Sequence, residues 1–477
     1  MTIDAPHLNI EAIELYERPV RLRLPFRFGV VTLTECPQAF VRARVRRSDG
    51  HAAWGAAAEL MAPKWFDKNL QLSNEDNFQQ LRTVLWMARD AYLSDSRPAT
   101  AFGHFARHQQ AHEDACAARG FNALLASYGP ALLDRAVLDA ACRLQGVSFY
   151  AAMQTNLAGM DGTLLPSFAG LDMAGLLRSL RPATSIEARH TVGLLDAITA
   201  ADLAQRVDDG LPETLEEVIA AYGHRWFKLK VSGQRRHDLD RLSHIASVLD
   251  RSADPYFVSL DGNEQYASAQ ELAELTTAVR ATPQLARLWS SIAFIEQPIS
   301  RQHALQTDLR ALHPGKPVII DESDGVLDAF VQGRECGYAG VSSKTCKGIY
   351  RSLLNAARCA AWNREQRGTH YFMSAEDLTT QAGLSVQQDL ALVNLLGITH
   401  VERNGHHYVN GMAAQPQAEQ EAFLQAHPDL YERSHGAVRL KIRAGRIQCA
   451  SLDGVGYASN TDPDFSAMQT LSPGAAA

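Results

Sequence analysis

The sequence predicts an α/β protein: a modified (β/α)8 TIM barrel carrying an α+β capping domain. Three observations point there. Between about residues 186 and 405, eight short apolar segments alternate with helical ones, the pattern of strands buried on both faces of a parallel sheet. Residues 9–48 instead alternate apolar with polar side chains, as half-solvated antiparallel strands do. Three successive barrel segments finish in acidic residues, roughly one βα unit apart.

In chain order, "AIELYERPVRLRLPFRF" and "AFVRARVRR" are strands, each alternating along its length. "NFQQLRTVLWMARDAYL" and "PALLDRAVLDAACRLQGVSF" space their apolar residues by three and four and are helices. Strands followed by helices make residues 1–155 an α+β unit. The barrel, 186–405, takes its strands from "ARHTVGLL" (188–195), "RWFKLKV" (225–231), "YFVSLDGN" (256–263), "IAFIEQPI" (292–299), "PVIIDES" (317–323), "YAGVSSK" (338–344), "THYFMSA" (369–375) and "GITHVE" (397–402). Segments between them, such as "HDLDRLSHIASVLDRS" and "YRSLLNAARCAAWNREQ", read as helices. Residues 406–477 hold a polar helical run and two short strands, "VRLKIR" and "RIQCAS", and are expected to fold back and complete the capping domain.

A chain of 477 residues, 46% apolar and 21% charged, has the composition of an ordinary core-forming protein. Its 46 basic and 53 acidic residues give a net charge of −7, with no basic footprint for nucleic acid. No run approaches the roughly 18 apolar residues of a membrane span, and the first twenty residues lack the blocks of a signal peptide. Seven cysteines form no CxxC pair, which fits reduced thiols and a cytoplasmic location.

The chemistry is carried by charged residues at strand ends. Asp261 in "SLDGN", Glu296 in "FIEQP" and Asp321 in "IIDES" end three consecutive strands, so a barrel brings them to one rim. Alone, each such acid more often caps a helix or faces solvent. Together they repel, and a hard divalent cation, Mg²⁺ or Mn²⁺, relieves that repulsion. Glu322 follows Asp321 and points the other way along a strand, leaving Asp321 as the candidate ligand and Glu322 in support. "FKLKVSG" places Lys228 and Lys230 on one face of the second strand, and Lys344 ends the sixth. Across a closed barrel these flank the acids. A cation at a substrate carboxylate stabilises the charge formed when the adjacent carbon loses a proton. Lys230, nearer the strand end, is the candidate base, with Lys228 as a like charge that helps keep it neutral.

In this order and spacing, "KLK" (228–230), "DGN" (261–263), "EQP" (296–298), "DES" (321–323) and "SK" (343–344) resemble the enolase superfamily. Within it, they are closest to the muconate-lactonizing-enzyme-like group of the mandelate racemase–muconate lactonizing enzyme family. The resemblance implies Mg²⁺ on Asp261, Glu296 and Asp321, acid/base catalysis by Lys230 and Lys344, a small-molecule carboxylate substrate and a homo-oligomer. Racemisation, dehydration and cycloisomerisation are all open. So are a different metal-dependent barrel activity, an aldolase or hydrolase, and a catalytically silent binding protein. A mandelate-racemase-type histidine is not expected, because His370 falls at the start of its strand.

Some features depart from that pattern. The interval from Asp261 to Glu296 carries the extra "ATPQLARLW", and residues near 60–120 and 403–440 are insertions. The DxD of dipeptide epimerases is missing from "THVERNGHH", and Asp462 and Asp464 in "TDPDF" come too late in the chain. His104, His108 and His112 stand at helical spacing and are read as a polar helix face rather than a metal face. His406 and His407 are assigned to a turn. Residues 59–70 are a candidate lid, with Trp65 or Phe66 towards substrate.

Overall fold

The structure, a computed structural model, describes residues 5–310, 315–368 and 370–473. Its N-terminal part is an antiparallel sheet of β1 (Leu8–Phe28), β2 (Val31–Arg47) and β3 (Ala52–Leu60). β1 and β2 pair from Leu8↔Arg47 to Phe28↔Val31, with an irregularity between Arg21 and Phe26. One face of this sheet is covered by α1 (Asn74–Ser94), α2 (Ala101–Ala117) and α3 (Tyr128–Gln145). Ser73 and Asp76 close a capping box at the start of α1, each satisfying an otherwise orphaned backbone donor. Phe78, Leu81, Leu85, Ala88 and Tyr92 then form its buried stripe. Helix α3 lies against the sheet at backbone contact: a β-carbon on Gly55 would stand 2.2 Å from the Ala140 nitrogen. Only glycine fits there.

The barrel strands are β4 (Ser185–Val192), β5 (Trp226–Lys230), β6 (Phe257–Asp261), β7 (Ile292–Glu296), β8 (Val318–Ile320), β9 (Gly340–Ser343), β10 (Phe372–Ala375) and β11 (His400–Arg403). All eight predicted strands are present. Neighbours pair in parallel, and β11 pairs with β4 to close the barrel. The extra residues between β6 and β7 form a 3-10 turn, Pro283–Leu285, and a short helix, Ala286–Ser291.

The C-terminal residues contact both parts. A hairpin of β12 (Tyr431–Ser434) and β13 (Ala437–Leu440) precedes β14 (Arg446–Gln448), which adds antiparallel to the first turn of β4. β15 (Gln469–Thr470) pairs with β1 at Tyr16 and Glu17. The helix Gln417–Ala426 offers Glu419 to Arg18 of β1 in a buried two-point ion pair at 2.8 and 2.9 Å. No helix among the described residues is long and apolar enough to cross a membrane, and all seven cysteines are free thiols.

Candidate active site

Strand register does most of the positioning. Lys230 pairs with Asp261, and Asp261 with Glu296, so a lysine and two acids stand side by side at one level. Residues in register across parallel strands point the same way, and here all three are buried within the barrel. Asp321 follows β8 directly, and Lys344 follows β9 across the ring.

The acids are held by ammonium groups. Lys228 is 1% exposed and lies 2.9 Å from Asp261, 2.7 Å from Glu296, 2.7 Å from Glu376 and 2.9 Å from Glu402. Burial alone would lower its pKa, but these four carboxylates outweigh burial and raise it well above the ordinary lysine value. Lys228 is therefore first of all the counter-ion of the barrel's acids, a larger role than a like charge on Lys230. Lys230 donates to Asp261 Oδ2 at 2.5 Å. Lys344 donates to Asp321 Oδ2 at 2.6 Å and lies 4.3 Å from the centre of the Trp65 ring. Burial would lower the Lys344 pKa, and Asp321 overrides it, so Lys344 is held protonated.

The acids differ in consequence. For Asp261 and Asp321 burial is outweighed by the lysines around them, which hold both below the usual carboxylate range. Glu296 goes the other way: burial, then the Asp261 and Glu376 carboxylates, push it well up. Neither of its oxygens accepts a hydrogen bond, so the Lys228 approach is an ion-pair contact and not an aligned bond. Asn263 Oδ1 and Glu322 Oε2 are likewise buried without a donor. Buried carboxylate oxygens on adjacent strands, one set lacking any donor, fit a hard divalent cation with oxygen ligands. Asp261, Glu296 and Asp321 could hold it.

The motifs around the acids have identifiable work. The Asn263 backbone donates to Asp261 Oδ1 at 2.8 Å, and its side chain to Glu322 at 3.1 Å. Gln297 accepts from the backbone of Asp321 at 2.8 Å and of Ser323 at 3.1 Å. Its own backbone sits at φ +33° and that of Asn263 at φ +39°, conformations that persist only where surrounding bonds enforce them. Glu322 thus faces Asn263 and Lys68 while Asp321 faces the lysines.

Several site residues were not anticipated. Arg189 of β4 is fully buried at the barrel centre, bonded to Ser259 at 2.7 Å and Glu376 at 2.5 Å. Glu376 directly follows β10, and Glu402 lies within β11. Lys347 reaches Asp321 at 3.4 Å and Asp324 at 3.2 Å. Each sits beside other charged residues in "SAED", "HVERN" or "KTCKG", where strand alternation was the only available signal.

The capping domain closes the mouth. Phe26, Phe28, Leu33, Ala62 and Trp65 from the cap, with Leu378 and Thr379, face Lys228, Lys230, Asn263 and Lys344 across a cavity of ≈ 20 Å³. That holds about one water. The loop bearing Trp65 is pinned by Arg301, which donates to the Trp65 and Phe66 carbonyls at 2.7 and 2.9 Å while paired with Glu264. Lys68 joins the same Glu264 at 2.6 Å. Phe66 does not face the cavity; it packs on Tyr128. A roomier surface cleft of ≈ 1170 Å³ between residues 98–107 and 154–164 contains one acid, Asp161, and no comparable set.

The remaining histidines lie elsewhere. His104 and His112 are buried rather than solvent-facing, bonded to the Leu8 and Ala126 carbonyls at 2.8 and 3.0 Å, and His108 approaches Asp95. His370 precedes β10, at its N-terminal end. His406 and His407 are buried outside the barrel cavity. Asp462 pairs with Arg143 of α3, and Asp464 caps a 3-10 turn.

A closed eight-stranded parallel barrel with strand-end acids and lysines beneath an α+β cap is the architecture of the enolase superfamily. The chain belongs to the enolase C-terminal domain-like family, whose sequence profile matches residues 210–463. Its fold is similar to that of muconate lactonizing enzyme from Pseudomonas fluorescens complexed with muconolactone, at 17% identity over 95% of this chain and 96% of that one, TM-score 0.59. An enolase from Bradyrhizobium complexed with magnesium and mandelic acid aligns at 14% identity over 96% and 97%, TM-score 0.58. A mandelate racemase/muconate lactonizing protein from Herpetosiphon aurantiacus aligns at 16% over 94% and 98%, TM-score 0.58. No curated protein matches the chain in sequence.

Proposed function

We propose that this protein is a Mg²⁺-dependent enzyme, with Mn²⁺ as a substitute, that removes the proton α to a substrate carboxylate. The observation that carries this is the in-register set Lys230–Asp261–Glu296 facing Lys344–Asp321 across a capped cavity. A divalent cation on Asp261, Glu296 and Asp321 would neutralise the charge that develops on the substrate carboxylate during deprotonation. Lys230 takes the proton; its one side-chain hydrogen bond goes to Asp261, a carboxylate also wanted by the cation. Lys344 faces the substrate from the opposite side as proton donor or as a fixed positive charge. Lys228 and Arg189 together balance Glu376 and Glu402 and keep the floor of the site close to neutral.

Racemisation, dehydration and cycloisomerisation all begin with this step, and what Lys344 protonates separates them. The apolar cap residues Phe26, Phe28, Leu33 and Trp65 support a substrate with an unsaturated or aromatic body over a polyhydroxy acid.

The test is deuterium incorporation. The protein and Mg²⁺ are incubated in D₂O with pooled muconates, aromatic hydroxy acids, N-acyl amino acids and sugar acids, and mass gain or product is read by mass spectrometry. Exchange should fall by at least about 10²-fold in Lys230→Ala and change in extent or product in Lys344→Ala. Turnover unchanged in Lys344→Ala would favour a different metal-dependent barrel chemistry. Absence of exchange together with absence of Mg²⁺ binding would overturn the proposal in favour of a silent binding protein.

A further inference from the structure

We propose that His190, His224 and His406 form a nitrogen-donor site for a borderline transition-metal cation of the Zn²⁺ type. It lies on the outer wall of the barrel, at the seam where β11 meets β4. One ring nitrogen from each histidine lies within 4.8 Å of the other two. They come from three places: β4 itself, the turn leading into β5, and the short helix Gly405–Tyr408 after β11. His190 points outward because its neighbours Arg189 and Thr191 bond inside the barrel, to Glu376 and Glu402, and strand side chains alternate.

One hydrogen-bonded pair in the cluster already has the spacing of two ligands. His190 Nδ1 and His406 Nε2 are 3.2 Å apart. Two nitrogens bound at about 2.0–2.1 Å to a tetrahedral Zn²⁺ stand about 3.3 Å apart, so the pair already has nearly the required separation. His224 donates from Nδ1 to the Ala188 carbonyl at 2.9 Å. That bond leaves the lone pair on Nε2, the backbone-oriented arrangement that metal-binding histidines use. His224 Nε2 is buried and has no hydrogen-bond partner, and neither has His406 Nδ1. His407 packs beside the cluster without joining it, its ring centre 5.1 Å from that of His190.

The chemistry of the pocket selects the ion. All three residues are at most 9% exposed, and no carboxylate is among the donors, which disfavours Mg²⁺ and Ca²⁺ and suits Zn²⁺, Ni²⁺ or Cu²⁺. Burial holds all three rings below the ordinary histidine pKa, in the neutral form that binds metal. A surface groove of ≈ 640 Å³ borders the cluster at His224, with Ile219 and Tyr256 also in its walls. A cation here would tie the first barrel strand, the entrance to the second and the exit of the last. It would be separate from the carboxylate site inside the barrel, and the proposal does not depend on the enzymatic reading.

The test uses the full chain, stripped with EDTA and dialysed against Zn²⁺ alone in the presence of excess Mg²⁺. One equivalent of Zn²⁺ should be retained by the parent and by Asp261→Asn, and lost in His224→Asn and His406→Asn. Zn²⁺ should also raise the thermal midpoint of the parent. Co²⁺ provides a readout that needs no variant: the parent should give the intense visible bands of a four-coordinate site. Three results would overturn the proposal: no retained Zn²⁺, retention that follows Asp261 instead of the histidines, or only the weak spectrum of six-coordinate Co²⁺. Any of them would leave the three rings as a hydrogen-bonded packing cluster.

Discussion

Replacing Glu296 by glutamine should stabilise the cation-free protein and abolish its response to Mg²⁺. Glu296 is fully buried, accepts no hydrogen bond, and is pushed well above its reference value of 4.5 by burial and by Asp261 and Glu376. An acid with a raised folded pKa binds its proton more tightly when folded. Its contribution to stability is therefore complete below the unfolded value and declines as pH rises towards the folded one. At pH 7, above the unfolded value, that contribution has declined. Glutamine keeps the shape with no proton to lose. It gives up one of four contacts to Lys228, which retains Asp261, Glu376 and Glu402. The net gain should be on the order of 1 kcal/mol, a degree or two in thermal midpoint. Melts in EDTA at several pH values should show the variant ahead near neutrality and the two proteins converging near the unfolded pKa. Adding Mg²⁺ at a hundredfold excess over its Kd should then stabilise the parent by about 2.7 kcal/mol and leave the variant unmoved. If the variant is the less stable protein at neutral pH in EDTA, the Lys228 contact outweighs the repulsion and the reasoning fails.

Other perturbations test the frame around the site. Gly55→Ala should destabilise by about 3 kcal/mol, the upper end for overpacking, because the new carbon meets Ala140 and Ala136 backbone atoms at 2.2 and 2.3 Å; an unchanged urea midpoint would contradict this. Asp134 is pushed up to about 8 by burial, and its Oδ2 has no donor while Oδ1 accepts from Tyr92 at 2.8 Å. The parent should lose stability as pH rises from the ordinary carboxylate range towards about 8, and Asp134→Asn should flatten that decline; parallel pH-dependent melts would count against it. Arg301→Ala removes the bonds to the Trp65 and Phe66 carbonyls. Proteolysis between residues 61 and 73 should accelerate, and identical digestion patterns would show that Lys68 alone holds the loop.

The barrel was legible because its strands are buried on both faces and separated by amphipathic helices, so period and length mark all eight. The acids of β6, β7 and the segment after β8 were legible through their spacing, since one βα unit separates each pair. Glu376 and Glu402 were not, because "SAED" and "HVERN" place several charges in succession, and only the end-point of the strand decides which one turns inward. Arg189 was hidden for a similar reason: a single arginine in "EARHTV" gives no sign that its partners lie on strands seventy and nearly two hundred residues away. The histidines at 104 and 112 have the spacing of a metal face, yet their bonds go to backbone carbonyls. Those at 190, 224 and 406 have no spacing at all, and only barrel closure assembles them.

The pairing of β1 with β15 has a consequence for biosynthesis. Tyr16 and Glu17 receive their partners, Thr470 and Gln469, only after about 450 further residues have been added. At about 5–20 residues per second that is on the order of half a minute or more. Throughout this interval one edge of the N-terminal sheet is open, a ready template for another chain. The nascent protein carries Glu11, Glu14, Glu17, Arg18 and Arg21 along that strand, charges that discourage such pairing while the barrel is still emerging. The cap is thus begun before the barrel and completed after it.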